Sequence, residues 1–262
     1  MNPFDVEVCI PTRGKVLAAL AGLVPHAAYG PFMLRIITEN PLVDPAEWRL
    51  IEMIQRLGCR VRVELQTQKG NGGARAQAGF NTDAKAIVSL DDDAVLSPPG
   101  AIPILAGALL GDGDHGWVTP VIRFVQGFTD PPAGHTEIWS RVSEIDPRVQ
   151  NALEHQGNGW VRTFDTGHWN ATRDLGGTCY AVRPESLRKH ADELRAWNPL
   201  FGGVDKRLGQ LLVRGTVVPN MFAYHFGLWS PQKWGHLGLL NTIWGRWPST
   251  VALAATGRDV MP

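Results

Sequence analysis

The sequence places a continuously apolar run, Ala86-Ile87-Val88-Ser89-Leu90, directly before three aspartates, Asp91-Asp92-Asp93. A short apolar run is typical of a strand buried on both faces, as in a parallel sheet. Three adjacent carboxylates raise each other's pKa unless a cation lies among them. Mg²⁺ and Mn²⁺ prefer carboxylate and phosphate oxygens, so the segment predicts a divalent metal site at the carboxyl end of a buried strand.

The spacing of the aspartates suggests different binding roles for Asp91 and Asp93. In an extended chain Asp91 and Asp93 project to the same side, so we expect one to hold the metal while the other reaches a ribose hydroxyl. The alternative is a solvated acidic turn that caps a helix near Ala101, and the strand context disfavours it.

Strand and helix patterns alternate on the amino-terminal side of this segment. Asp44-Pro45-Ala46-Glu47, for example, has the Asp cap, early Pro and following Glu of a helix start. The order predicts a mostly parallel, Rossmann-like sheet flanked by helices, with ligands beyond the carboxyl ends of its strands. The predicted strands are 6–10, 32–38, 59–65 and 86–90, and the predicted helices are 15–23, 44–57 and 72–80.

The pattern changes after residue 110, where a long stretch, residues 126–170, has no regular periodicity. We expect one domain over residues 1–262, with a nucleotide-binding half at 1–110 and a smaller acceptor-side half with a C-terminal tail at 111–262. In the second half we predict strands at 116–125, 178–182, 216–218 and 221–226, and helices at 184–195 and 205–214.

Composition excludes several classes of protein. The chain has 262 residues, 44% of them hydrophobic, and its 25 basic and 25 acidic residues give no net charge. These values predict a folded globular protein without a strong field for nucleic acid or lipid. The three widely spaced cysteines indicate buried thiols, and no signal peptide or membrane span is evident, so we expect a cytoplasmic protein.

Several motifs, in order along residues 5–228, resemble those of family 2 glycosyltransferases of the GT-A fold. Val8-Cys9-Ile10-Pro11-Thr12-Arg13 looks like their opening strand and turn, and Gly70 to Gly79 like their Arg-containing helix before the aspartate strand. Gly176 to Arg183 is similar to their acceptor-side strand. Gly203-Val204-Asp205 stands where the family has an Asp that opens a helix.

The resemblance implies metal-dependent transfer of a sugar from a nucleoside-diphosphate sugar to an acceptor hydroxyl, with inversion. It implies Mn²⁺ or Mg²⁺ as the cofactor and favours a UDP-sugar, although Glu39 stands where the family has an Asp that reads the base. Asp205 would be the general base, and Asp93, His225 and Asp91 would hold the metal. The residues that would bind the nucleotide sugar are Pro11, Thr12, Arg13, Glu39, Lys69, Arg75, Asp91 and Asp92.

Each role has a plainer alternative. A helix N-terminus would keep Asp205 ionised but make it a weaker base, and it could be an ordinary first-turn residue. His225 could be a structural residue at the end of an apolar strand. Gly72 and Gly73 could admit a phosphate to the backbone or form a simple turn into a helix. No lysine stands in the register of a P-loop.

Two other functions fit parts of the sequence. A sugar nucleotidyltransferase needs a Gly-rich basic loop after the first strand, and Arg13-Gly14-Lys15 is only a faint match. The second alternative is a non-catalytic module that binds a nucleotide sugar. The intact aspartate triplet, Asp205 and His225 argue against it. The acceptor is open: a glycan, a small molecule, a protein or a hydroxymethylated DNA base, the last disfavoured by the zero net charge.

Overall fold

The computed structural model describes residues 2–68, 70–111, 113–126, 138–141, 160–163, 177–196, 204–212 and 214–225. These residues form a mixed α/β structure in which helices flank a curled central sheet. The predicted fold class is therefore confirmed.

The sheet contains ten strands in the described residues, in the order β3-β2-β1-β4-β9-β6-β10-β5, with β8 beside β6 and β7 beside β8. The strands are β1 (Val6–Thr12), β2 (Met33–Thr38), β3 (Arg60–Leu65), β4 (Ala86–Leu90), β5 (Ala94–Ser97), β6 (Trp117–Gln126), β7 (Ile138–Arg141), β8 (Trp160–Thr163), β9 (Cys179–Val182) and β10 (Gly215–His225). The helices are α1 (Leu17–Tyr29), α2 (Pro45–Arg56), α3 (Asn71–Ala78), α4 (Ala101–Gly111), α5 (Pro184–Lys189), α6 (Ala191–Ala196) and α7 (Val204–Leu211), and Pro3–Asp5 form a short 3₁₀ helix.

The strands and helices predicted between residues 6 and 90 are all present. Strands β3, β2, β1 and β4 are all parallel, and every residue of β4 is buried. The side chain of Asp44 accepts a hydrogen bond from the Ala46 N–H at 2.8 Å and so caps α2. Helix α1 continues beyond the predicted end at Leu23 to Tyr29 and contains Pro25 within it.

The second half differs from the prediction in detail. Strand β9 is antiparallel to both β4 and β6, whereas β10 is parallel to β6. The two strands predicted at 216–218 and 221–226 are one strand, β10, with a register shift between Val218 and Phe222. The helix predicted at 184–195 is two short helices, α5 and α6, separated at His190.

Strand β5 was not predicted, and it shows why the sheet must curl. It begins only four residues after the end of β4, yet it lies four places away in the strand order. In a flat sheet four spacings would separate the strands by about 19 Å, and a fully extended path of four residues reaches only about 14 Å. The sheet therefore curls back on itself.

The curl places the end of β10 beside the three aspartates. Strands β5 and β10 are antiparallel, and their register pairs Ala94 with His225. Ala94 directly follows Asp93, so the last residue of the described chain is brought next to a turn more than a hundred residues earlier in the sequence.

Two clusters of buried apolar side chains form the core. Cys9, Cys59 and Cys179 are buried and form no disulfide, as predicted for structural thiols.

None of the helices that the structure describes is long and apolar enough to cross a membrane.

One buried polar group links α1 to β5. His26 is 2% exposed, and its Nε2 lies 2.8 Å from the carbonyl oxygen of Leu96. Burial lowers the pKa of His26 to about 4, although the hydrogen bond to Leu96 acts in the opposite direction. In the unfolded chain His26 binds a proton near pH 6.5, whereas in the folded protein it does so only near pH 4. The full folding stability is therefore present above pH 6.5, and part of it is lost as the pH falls from 6.5 to about 4.

The variant His26→Gln retains an N–H donor for Leu96 but does not titrate. Between pH 7 and pH 4 we expect the wild-type protein to lose about 3 kcal/mol more unfolding free energy than the variant. Urea unfolding at both pH values, followed by tryptophan fluorescence, measures the difference. Equal losses in the two proteins would show that His26 does not titrate as described.

Candidate functional site

The three aspartates lie at the carboxyl end of β4 in a tight turn, Asp91–Ala94, which we call the aspartate turn. The N–H of Ala94 donates to the carbonyl oxygen of Asp91 at 3.2 Å, and the N–H of Asp91 donates to that of Thr178 at 2.9 Å. The expected extended geometry is therefore wrong. The turn nevertheless brings Asp91 and Asp93 to one side, and each of the three carboxylates meets a different partner.

Asp91 lies between a buried arginine and a histidine. Its Oδ1 is 3.4 Å from an N–H nitrogen of Arg75, and its Oδ2 is 4.0 Å from Nε2 of His225. Arg75 is 2% exposed. A buried guanidinium here supplies a positive charge that offsets part of the repulsion among the aspartates.

Arg75 belongs to α3, and its other contacts lie within α3, on β4 and at the start of β9. It donates to Asn71 at 2.9 Å, to the Ser89 hydroxyl at 3.0 Å and to the Tyr180 hydroxyl, and reaches the carbonyl oxygen of Gly177 at 3.3 Å. Because these contacts fix the guanidinium, Arg75 can position the carboxylate of Asp91. Its predicted contact with the base or the diphosphate stays a prediction.

Asp92 points to β1. Its Oδ2 accepts a hydrogen bond of 2.6 Å from the hydroxyl of Thr12. Burial raises the pKa of Asp92 to about 6, the Thr12 hydrogen bond lowers it, and the charge of Asp93 raises it again. The carboxylate of Asp92 thus has its partner on β1, whereas Asp91 and Asp93 have other partners.

Asp93 meets His225 at the end of β10, with Oδ1 3.0 Å from Nε2. Burial alone would lower the pKa of His225, but the hydrogen bond with Asp93 and the charges of Asp93, Asp91 and Asp92 outweigh it, so the pKa is raised. The surrounding carboxylates therefore favour the protonated form of the ring.

Asp91, Asp93 and His225 form a group that could hold a metal ion. Each offers one ligand atom, and the three atoms lie within 4.8 Å of one another. In an octahedral shell of radius about 2.1 Å, adjacent ligands are about 3 Å apart and opposite ligands about 4 Å. The separations of His225 Nε2 from Asp93 (3.0 Å) and Asp91 (4.0 Å) are close to those spacings, so the three residues could hold such an ion. Binding would displace the proton of His225.

The remaining predicted donor residues lie around the same edge of the sheet. Pro11 is half-buried and Thr12 buried near the end of β1, and Arg13 is exposed just beyond it. Glu39, which follows β2, accepts a hydrogen bond of 3.0 Å from the N–H of Gly70 and so connects β2 to the start of α3. Lys69 lies outside the described residues.

Asp205 lies in the first turn of α7, as predicted, although its side chain is outside the described residues. Leu208 and Leu212 on the same segment are buried, and Leu211 is half-buried.

The glycine-rich segment at the start of α3 packs against the protein's own backbone. Gly70 has a φ of +96°, a conformation that L side chains rarely adopt. A Cβ at Gly73 would overlap the carbonyl oxygen of Gln68. Gly73 is therefore required for close packing of the preceding loop, which favours the turn alternative over a phosphate contact at this position.

Glu47 has a role that the sequence did not indicate. It was expected to complete the cap of its own helix, α2. Instead its buried Oε1 accepts a 2.6 Å hydrogen bond from the N–H of Val16, at the start of α1. Burial raises the pKa of Glu47, and the Val16 hydrogen bond opposes the shift. A carboxylate at this helix N-terminus occupies the position that a phosphate would need.

Solved structures share this architecture. The crystal structure of GalNAc-T7 with UDP, GalNAc and Mn²⁺ matches with a TM-score of 0.54 and 13% identity, over 84% of this chain and 43% of that one. That of S. aureus TarS 1–349 matches with a TM-score of 0.53 and 12% identity, over 97% of this chain and 71% of that one. The chain has the GT-A fold. It spans less than half of the GalNAc-T7 chain.

At these identities the likeness concerns the fold. No family model matches the sequence, and no curated protein is similar to it. The predicted GT-A fold is confirmed, and the chemistry of the site has to be argued from its residues.

The packing at Gly73 gives a direct test of the loop geometry. Gly73→Ala should lower the unfolding free energy by about 1–3 kcal/mol, because the Gln68 carbonyl must move. Gly107→Ala, in α4, is a matched control with no atom within 4 Å of the added Cβ. We expect it to raise stability by about 0.5–1 kcal/mol through helix propensity. Urea unfolding measures both, and effects of the same sign would contradict the described packing.

Proposed function

We propose that the protein is a metal-dependent glycosyltransferase, which moves a sugar from a nucleoside-diphosphate sugar to an acceptor hydroxyl. The observation that carries the proposal is the Asp91–Asp93–His225 group at the carboxyl edge of the parallel strands of a GT-A fold. Ligands of open α/β sheets bind at this edge.

The nature of the donor is supported by the solved structures of similar fold. GalNAc-T7 was crystallised with UDP, GalNAc and Mn²⁺. We infer that the present chain uses a UDP-sugar with Mn²⁺ or Mg²⁺. Glu39 stands where the family has an Asp that reads the base, so comparing UDP- with GDP-sugars tests the uracil part of this inference.

Asp91, Asp93 and His225 would hold the cation, which when bound would supply positive charge against the departing diphosphate. Around it, Pro11, Arg13, Glu39 and Lys69 would line the donor. Arg75 and Asp92 would act on the donor through the aspartate turn, because the protein contacts of Arg75 and the Thr12 bond of Asp92 hold that turn.

Asp205 is proposed as the general base that takes the proton of the acceptor hydroxyl, with inversion at the anomeric carbon. Its place in the first turn of α7 gives it a defined backbone position, and the positive end of a helix favours an ionised carboxylate. A weak base of this kind accepts the proton as the sugar departs rather than before.

The rival nucleotidyltransferase is disfavoured by Glu47. That function needs a phosphate-binding loop after the first strand. Here a buried carboxylate accepts from the N–H of Val16 and would repel a phosphate at the start of α1. The rival predicts pyrophosphate from a nucleoside triphosphate and a sugar 1-phosphate, and we expect none.

The test is release of UDP from UDP-glucose, UDP-GlcNAc and UDP-GalNAc with Mn²⁺. Asp93→Asn should reduce the rate at least about 100-fold by weakening the metal site. Asp205→Asn should abolish transfer to an acceptor while UDP binding stays close to that of the wild type. Asp192→Asn is the matched control, because Asp192 has a fully exposed side chain whose ion pair with Arg195 is worth little.

Two results would refute the proposal. One is UDP release that is equally fast in EDTA or in Asp93→Asn. The other is the absence of nucleotide release from every donor tested, together with tight donor binding, which is the behaviour of a non-catalytic binding module.

A further inference from the structure

The hydroxyl of Thr12 lies at the junction of two loops. Thr12 is the last residue of β1 and is 6% exposed. Its Oγ1 accepts hydrogen bonds from the N–H groups of Gly14 at 3.0 Å and Lys15 at 3.1 Å. It donates to Oδ2 of Asp92 at 2.6 Å. The carbonyl oxygen of Lys15, at 3.2 Å, is a second acceptor, but the carboxylate is nearer and charged.

These bonds use the full capacity of the group. A threonine hydroxyl has one proton to donate and two lone pairs to accept with. One proton goes to Asp92, and two backbone N–H groups take up the lone pairs. A nucleotide could gain a hydrogen bond from this hydroxyl only by breaking one of the three, so the part of Thr12 in donor binding is indirect.

The two loops joined by this hydroxyl carry charges of opposite sign. The loop after β1 carries Arg13 and Lys15, both exposed. Its backbone is also fixed by Asn40, whose Nδ2 donates to the carbonyl oxygen of Arg13 at 2.7 Å. On the other side, fixing the Asp92 carboxylate toward β1 constrains the backbone between the two metal-binding candidates, Asp91 and Asp93.

We propose that Thr12 is a positioning residue, which through Asp92 locks the loop after β1 to the aspartate turn, so that Asp91 and Asp93 converge on His225. The inference rests on the proposed function, since it assigns the metal group the role given there. It predicts that metal affinity depends on a hydroxyl that does not touch the metal.

The test compares two variants at the same position in the full chain. Thr12→Val removes the hydroxyl and preserves the branched shape and the net charge, whereas Thr12→Ser keeps the hydroxyl. Titration of each with Mn²⁺ alone at pH 7.5, by calorimetry, should give about a tenfold loss of affinity for Thr12→Val. Thr12→Ser should remain within about twofold of the wild type, a rescue that a role in packing would not predict.

A second pair tests the same bond from its other end. Asp92→Asn and Asp92→Ala remove the same charge, but only the amide retains an oxygen that accepts from Thr12. We expect Asp92→Asn to bind Mn²⁺ about tenfold more tightly than Asp92→Ala. This pair decides the question if Thr12→Val does not fold, as judged by its circular dichroism and melting temperature.

The outcomes distinguish failure of the proposed metal site from failure of the positioning role of Thr12. If the wild-type protein binds no Mn²⁺, the proposed metal site fails and the inference fails with it. If the wild type binds Mn²⁺ and both members of each pair bind it equally, the positioning role of Thr12 is overturned while the proposed function stands. A lower melting temperature for folded Thr12→Val with unchanged Mn²⁺ affinity would likewise reduce Thr12 to a structural residue.

Discussion

Repulsion among three adjacent carboxylates is the constraint on which the site depends. At an effective dielectric constant of 20, two such charges 4 Å apart repel by about 4 kcal/mol. The protein distributes the three among different partners: Arg75 lies beside Asp91, Thr12 donates to Asp92, and His225 lies beside Asp93. Each partner comes from a different element, so the turn is held only when the elements have assembled.

The curl of the sheet brings one of these partners, His225, to the aspartate turn. The short connection between β4 and β5 does not allow a flat sheet of this strand order, and the curl carries the end of β10 to the aspartate turn. The parallel strands β3, β2, β1 and β4 form the edge where ligands bind, and the pairing of β10 with β5 places His225 at that edge. The fold and the proposed metal group are thus consequences of the same geometry.

The sequence predicted what depends on local pattern. The apolar run of β4, the parallel amino-terminal half and the cap at Asp44 all follow from residues close in the chain. The curl, strand β5 and the cap that Glu47 provides to α1 depend on contacts between distant segments, and no local pattern reports them. Resemblance supplied His225 and Arg75 as candidates, but the burial of Arg75 emerges only when α3, β4 and β9 are together.

The central claim is that Asp91, Asp93 and His225 form one divalent metal site. The direct measurement is anomalous diffraction from crystals grown with Mn²⁺ and UDP. We expect a strong manganese peak about 2.0–2.3 Å from an oxygen of Asp93 and from Nε2 of His225, on the side facing Asp91. Manganese bound elsewhere, with the Asp93–His225 contact of 3.0 Å intact, would contradict it.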